Sequence, residues 1–134
     1  MNISNLRAYY LISVVAAFFC GAFFVGCASP LIRAAGTQEG LASFYGKGFD
    51  GRKTSSGEVF DMNKLTAAHR TYPFGTILRV TNLKNGAQVD LKINDRGPVK
   101  PERIIDLSYG AAKAIGLDKL GLARVRLEVL EWGQ

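Results

Sequence analysis

The chain has 134 residues, room for one ordinary domain and not for two. Both of its cysteines, Cys20 and Cys27, fall in the first 27 residues. The remainder can form no internal disulfide, so its stability has to come from its core. The formal net charge is +6, with the bases spread along the chain rather than gathered in runs.

Residues 1–7 carry one base, Arg7, and no acid, and residues 8–25 are almost wholly apolar. This is the shape of a secretory signal. The run is also nearly long enough to span a bilayer, so an uncleaved anchor is the alternative. Phe24-Val25-Gly26-Cys27 followed by Ala28-Ser29 resembles a bacterial lipoprotein signal, with Phe24 where that motif usually has Leu. The resemblance implies cleavage before Cys27, lipidation of Cys27 and a membrane-anchored product. The residue after Cys27 is Ala28 and not Asp, which by the rule for such lipoproteins favours the outer membrane, facing the periplasm, in a Gram-negative cell. Removing Arg7 leaves the exported part at +5. For an exported lipoprotein an acidic glycan or an anionic membrane surface is a better partner than nucleic acid. The expected organisation is a signal peptide over residues 1–26, a lipidated N-terminus and tether over 27–39, and one domain over 40–131.

Residues 41–45 read as a first strand, stopped by Gly46 and Gly48. Residues 49–57 hold Gly51, Ser55, Ser56 and Gly57 and read as a loop. Residues 58–65 are ambiguous and admit one helical turn, and 66–69 read as a short strand. Residues 76–81 are a strand, Asn85-Gly86 is a hairpin turn, and 87–93 is the returning strand. Ser108 caps a helix over 109–115, which Gly116 stops. Residues 123–130 alternate Val125, Leu127 and Val129 against Arg124, Arg126 and Glu128, giving a last strand. Many short strands and one short helix suggest a small β-barrel.

One stretch carries a candidate for chemistry. Val89, Leu91 and Ile93 alternate with polar residues, and Asp95 shares their parity, so it is expected on the core side where the strand runs out at Gly97-Pro98. An inward carboxylate has to be paired or placed in a cleft. The other reading of Asp95 is a cap on the following turn.

Gly40-Leu-Ala-Ser-Phe-Tyr-Gly46, Thr54-Ser-Ser-Gly-Glu58, Ala67-Ala-His69, Pro73-Phe-Gly75, Val80-Thr-Asn82, Asn85-Gly86, Asn94-Asp-Arg-Gly-Pro98 and Ile105-Asp-Leu-Ser108 follow in that order. Together they resemble the double-psi β-barrel domain of the rare lipoprotein A family, the septal-ring lytic transglycosylase-like proteins. The resemblance covers about 90 residues, from Gly40 to Leu130. It implies a mainly β fold, a six-stranded double-psi β-barrel with one or two short helices. It further implies cleavage of peptidoglycan glycan between N-acetylmuramic acid and N-acetylglucosamine, with the muramic 6-hydroxyl as nucleophile and a 1,6-anhydro end left behind. Strands without stem peptides are the implied substrate. They expose one lactyl carboxylate per disaccharide, which suits a basic domain. Larger members carry a C-terminal peptidoglycan-binding repeat that this sequence lacks, so the lipid and the barrel are expected to localise it, with other cell-wall or division proteins as further partners.

Carried across residue by residue, the resemblance gives Asp95, His69, Glu58 and Asp61 as the catalytic set. One carboxyl is enough for this chemistry, since the attacking hydroxyl belongs to the sugar, provided partial burial raises its pKa. Asp95 fits. Glu58 and Asp61 share a face if their stretch turns helically. His69, the only histidine, is either a carboxylate's partner, a sugar ligand, or a buried ring satisfied by a backbone carbonyl. Arg96 is either the partner of Asp95 or a ligand for a sugar carboxylate, and Tyr45 and Tyr72 are placed to stack on sugar rings. Asp106 reads as structural, organising the helix start with Ser108. No cofactor is expected, and no metal, since one His with scattered acids lacks a zinc ligand cluster. The alternative function is a non-catalytic, expansin-like wall-binding lipoprotein. Convergence of Asp95, Glu58 and His69 on one cleft favours the enzyme, and their dispersal favours the binding module.

Overall fold

A computed structural model describes residues 36–134. The leader and Cys27 lie outside the described residues. Six strands make a closed barrel: β1 (Thr37–Phe44), β2 (Thr66–Ala68), β3 (Ile77–Asn82), β4 (Gln88–Asp95), β5 (Arg103–Leu107) and β6 (Ala123–Glu131). Around the barrel they run β1-β5-β2-β4-β3-β6 and back to β1. Two pairs, β1 with β5 and β2 with β4, are parallel, and the other four are antiparallel. Closure leaves no free sheet edge. Leu78, Val80, Ile93, Ile105, Leu107, Val125 and Leu127 fill the inside, and none of them is exposed. One short helix, α1 (Tyr109–Ala114), adds Ala111 and Ala112 to that core.

The helix matches its sequence signals. The Ser108 hydroxyl accepts from the Ala111 N–H at 3.2 Å and donates to the Lys64 carbonyl, so the cap also fixes the strand entry at β2. Three sequence expectations are corrected. The first strand begins at Thr37, inside the segment read as tether, because Thr37 to Ala42 pair with Glu128 to Ala123. Polar, Gly-containing residues of that kind form a strand when a long β6 supplies their partners. Strand β5 has no counterpart in the sequence reading, since Ile105, Asp106 and Leu107 are all buried and show no alternation. Residues 58–65 contain no helical turn. Their donors go elsewhere: the Met62 N–H to the Asp50 carboxylate at 2.9 Å and the Asn63 N–H to the Asp61 carboxylate at 2.9 Å.

Candidate active site

The end of β4 carries the site. Against β2 its register slips by one: Ala67 pairs with Ile93, but Ala68 pairs with Asp95, leaving Asn94 as an extra residue. This bulge moves Asp95 off the face of Val89, Leu91 and Ile93. The alternation therefore misplaces it. Asp95 is half-buried and looks into a groove of about 390 Å³ rather than into the core.

Three donors hold its carboxylate. The Ser55 N–H donates to Oδ1 at 2.9 Å, the Arg96 N–H to Oδ1 at 2.8 Å, and the Tyr45 hydroxyl to Oδ2 at 3.2 Å. Burial pushes the Asp95 pKa up, but hydrogen bonds from Ser55, Arg96 and Tyr45 outweigh it and set the carboxyl below its ordinary range. The expectation of a raised pKa is corrected for the free protein: Asp95 waits as a carboxylate. Tyr45 is pushed the other way, by burial and then by the charges of Asp95 and Asp106, so it stays a protonated donor. Its ring is wedged against Phe49 at 5.4 Å and Phe60 at 5.3 Å between centroids. Sequence reading gave Tyr45 a stacking role, whereas the structure gives it the carboxylate.

A residue read as structural belongs here too. Across the barrel wall, Ser43 pairs with Asp106, Asp106 with Ala68, and Ala68 with Asp95. The two carboxylates therefore stand in one row, two strand spacings or about 9.5 Å apart at Cα, with a methyl group between them. Asp106 does not touch the helix cap. It accepts the Ser43 hydroxyl at 2.6 Å and faces Arg103 at 3.4 Å. The buried Nε of Arg103 has no hydrogen-bond partner. Both residues line the groove with Asp95. Their signal in the sequence, a carboxylate and a base three residues apart, is too common to single them out.

The other candidates lie elsewhere. Glu58 lines a second groove of about 600 Å³ with Asp61, Lys64, Lys92 and Asn94, and no residue is shared with the first. Its carboxylate is bound by Lys92 at 2.8 Å and by the Asn94 amide at 3.1 Å, which together hold its pKa below the usual range. Asn94 precedes Asp95, so Glu58 steadies the bulge from its far side. Asp61 reaches the same groove without a helical turn, and its carboxylate accepts the Asn63 N–H at 2.9 Å. His69 is buried under the loop that follows β2. Its Nδ1 accepts from the Thr71 and Tyr72 N–H groups at 3.2 and 3.1 Å, which leaves Nε2–H to donate to the Gln38 amide oxygen at 3.1 Å. Burial, then Arg70 and Arg96, push its pKa down to about 4, so it is neutral. Tyr72 lies flat on its ring, with centroids 3.8 Å apart. Arg96 donates through its guanidinium to the carbonyls of His69 at 3.2 Å and Tyr72 at 2.8 Å and sits 3.9 Å over Phe74. In the free protein its side chain serves neither of the roles read from sequence. Among the described residues no three of His, Cys, Asp or Glu gather as a metal site.

Residues 37–127, more than half of the chain, match the family described as lytic transglycolase. The chain belongs to the lytic transglycolase family. Over 105 residues it is 55% identical to an endolytic peptidoglycan transglycosylase RlpA from Campylobacter jejuni, covering 78% of this chain and 38% of that protein. Over 92 residues it is 56% identical to a probable RlpA from Synechocystis, covering 69% and 29%. This family member therefore spans well under half the length of these relatives. Among solved structures the barrel resembles the apo expansin of Clavibacter michiganensis, with a TM-score of 0.58 and 21% identity over 73% of this chain and 52% of that one. It also resembles a Streptomyces papain inhibitor, with a TM-score of 0.58 and 18% identity over 71% and 94%. Both likenesses support the double-psi barrel fold, which the family match and the closed six-stranded order establish.

Proposed function

We propose that this barrel is a lytic transglycosylase that cuts peptidoglycan glycan between N-acetylmuramic acid and N-acetylglucosamine, with Asp95 as acid and base. The observation that carries the reading is a half-buried carboxylate, held by Tyr45 and Ser55 in an open groove, in a chain 55% identical to a named endolytic transglycosylase. The reaction needs one group that first gives a proton and then takes one. A glycan strand filling the groove excludes water and strengthens the burial that raises the Asp95 pKa, so the carboxyl picks up a proton in the complex. That proton goes to the glycosidic oxygen as its bond to C1 breaks. The muramic 6-hydroxyl then attacks C1 and returns its own proton to Asp95, closing the 1,6-anhydro ring. Tyr45 keeps the carboxylate aimed between the two transfers.

This chemistry does not require Glu58 and His69 in the same cleft. Their dispersal favours one second reading, a wall-binding barrel without catalysis. The experiment that separates the two is product analysis. Glycan strands stripped of stem peptides are incubated with the protein and read by mass. Anhydromuramic ends support the transglycosylase, binding without products supports the binding module, and reducing ends bring in Asp106 as second carboxylate of a hydrolase. The basic domain supports a preference for stripped strands. The Gly26-Cys27 motif supports a lipid anchor on the envelope side of the membrane, tested by whether Cys27→Ser leaves the membrane fraction.

A further inference from the structure

The chain's only tryptophan, Trp132, is 52% exposed. It is not a frayed end. Glu131 still pairs with Ile77, and the Gly133 N–H donates to the Thr76 hydroxyl at 3.0 Å. A Cβ at Gly133 would collide with the Phe74 carbonyl, so the backbone is locked onto the turn before β3. The indole stands edge-on to Tyr72, with centroids 5.4 Å apart and planes at 89°. Tyr72 in turn rests on the neutral, hydrogen-bonded ring of His69. Arg96 ties this stack to the site: its guanidinium holds the Tyr72 and His69 carbonyls, and its N–H holds Asp95. Ile77 pairs with both Glu131 and Lys92, so Trp132 and Asp95 leave the barrel on one rim. Lys92 and Glu131 are two strand spacings or about 10 Å apart, and Asp95 and Trp132 follow them by three residues and one.

We propose that Trp132, propped by Tyr72 and His69, is a stacking subsite for an uncharged N-acetylhexosamine ring of the strand whose neighbouring bond sits at Asp95. This rests on the glycan reading of the groove. An exposed, rigid aromatic face offers contact area to the C–H face of a pyranose at little entropic cost. The flanking residues Glu131 and Gln134 are exposed and polar, suited to sugar hydroxyls. The charge of Glu131 disfavours a muramic carboxylate at this position, and equally the surface of an anionic bilayer.

The test titrates the full chain, in non-ionic detergent, with N-acetylglucosamine tetramer, which has no muramic bond to cleave. The subsite predicts a saturable change in indole emission. It also predicts binding weakened about tenfold by Trp132→Ala and much less by Trp132→Phe, read by calorimetry. In parallel, the parent protein is assayed for anhydro ends on stripped strands. If strands are cleaved while the tetramer leaves the emission unchanged and Trp132→Ala binds as well as the parent, the subsite is wrong and the groove reading stands. If the protein neither binds nor cleaves glycan, both fall. Emission that responds to phosphatidylglycerol vesicles and not to the tetramer makes the tryptophan a membrane contact and overturns the proposal.

Discussion

At the scale of single residues, the groove turns on how Asp95 is held. Asp95→Asn keeps the shape and the Tyr45 contact but removes the proton, and is expected to lower turnover by roughly 10² to 10⁴ with the thermal midpoint nearly unchanged. Tyr45→Phe removes one of the donors that depress the Asp95 pKa. Asp95 has to be protonated for the first transfer, so the expected signature is an alkaline limb of kcat/KM displaced to higher pH, since kcat/KM reports the free enzyme. An unshifted limb in Tyr45→Phe contradicts the role given to the phenol. His69 makes a separate prediction about stability. Burial pushes its folded pKa down to about 4, below the ordinary 6.5 of a histidine. The unfolded chain then binds the extra proton, so this contribution is complete above pH 6.5 and is lost as pH falls towards 4. The loss amounts to about 3 kcal/mol. Denaturant melts at pH 7 and pH 4.5 measure it, and His69→Gln is expected to flatten the difference.

At the scale of elements, local strand signals were legible and the bulge was not. Alternation found β4 and β6, Asn85-Gly86 marked the hairpin that joins β3 to β4, and Ser108 with Gly116 bracketed the helix, because each signal lies within one segment. The face of Asp95 depends on Asn94 being skipped by β2, a fact about pairing with a distant strand. Parity along β4 alone therefore put the right residue on the wrong face. Strand β5 failed for a related reason: buried on both faces, it offers no alternation to read, and Asp106 was misassigned with it. Strand β1 likewise depends on a distant partner, β6. A chain beginning at Leu41 leaves residues 125–128 of β6 without partners on the β1 side and opens that edge of the barrel, so it is expected to melt well below a chain that keeps Thr37, or not to fold. Equal melting of the two chains contradicts the strand boundary. The bulge also sets the weight of the second groove. Glu58→Gln retains an acceptor for Asn94 while losing the exposed Lys92 pair, so activity is expected to fall far less than in Asp95→Asn.

At the scale of the whole molecule, family membership was legible from the order of short motifs, while the composition of the site was not. The motifs mark turns and strand ends, which fix the barrel. What the barrel then brings together (Tyr45 and Asp106 with Asp95, Tyr72 with Trp132) depends on pairings between strands far apart in sequence. No helix of the described residues is long and apolar enough to cross a membrane, and the proposed attachment rests on Cys27. The central claim is that a single carboxyl on this barrel closes an anhydro ring. The most direct measurement is mass analysis of stripped glycan strands incubated with the parent protein and with Asp95→Asn. The parent is expected to yield 1,6-anhydromuramic ends and Asp95→Asn none. Reducing ends from the parent, or anhydro ends undiminished in Asp95→Asn, would contradict the claim.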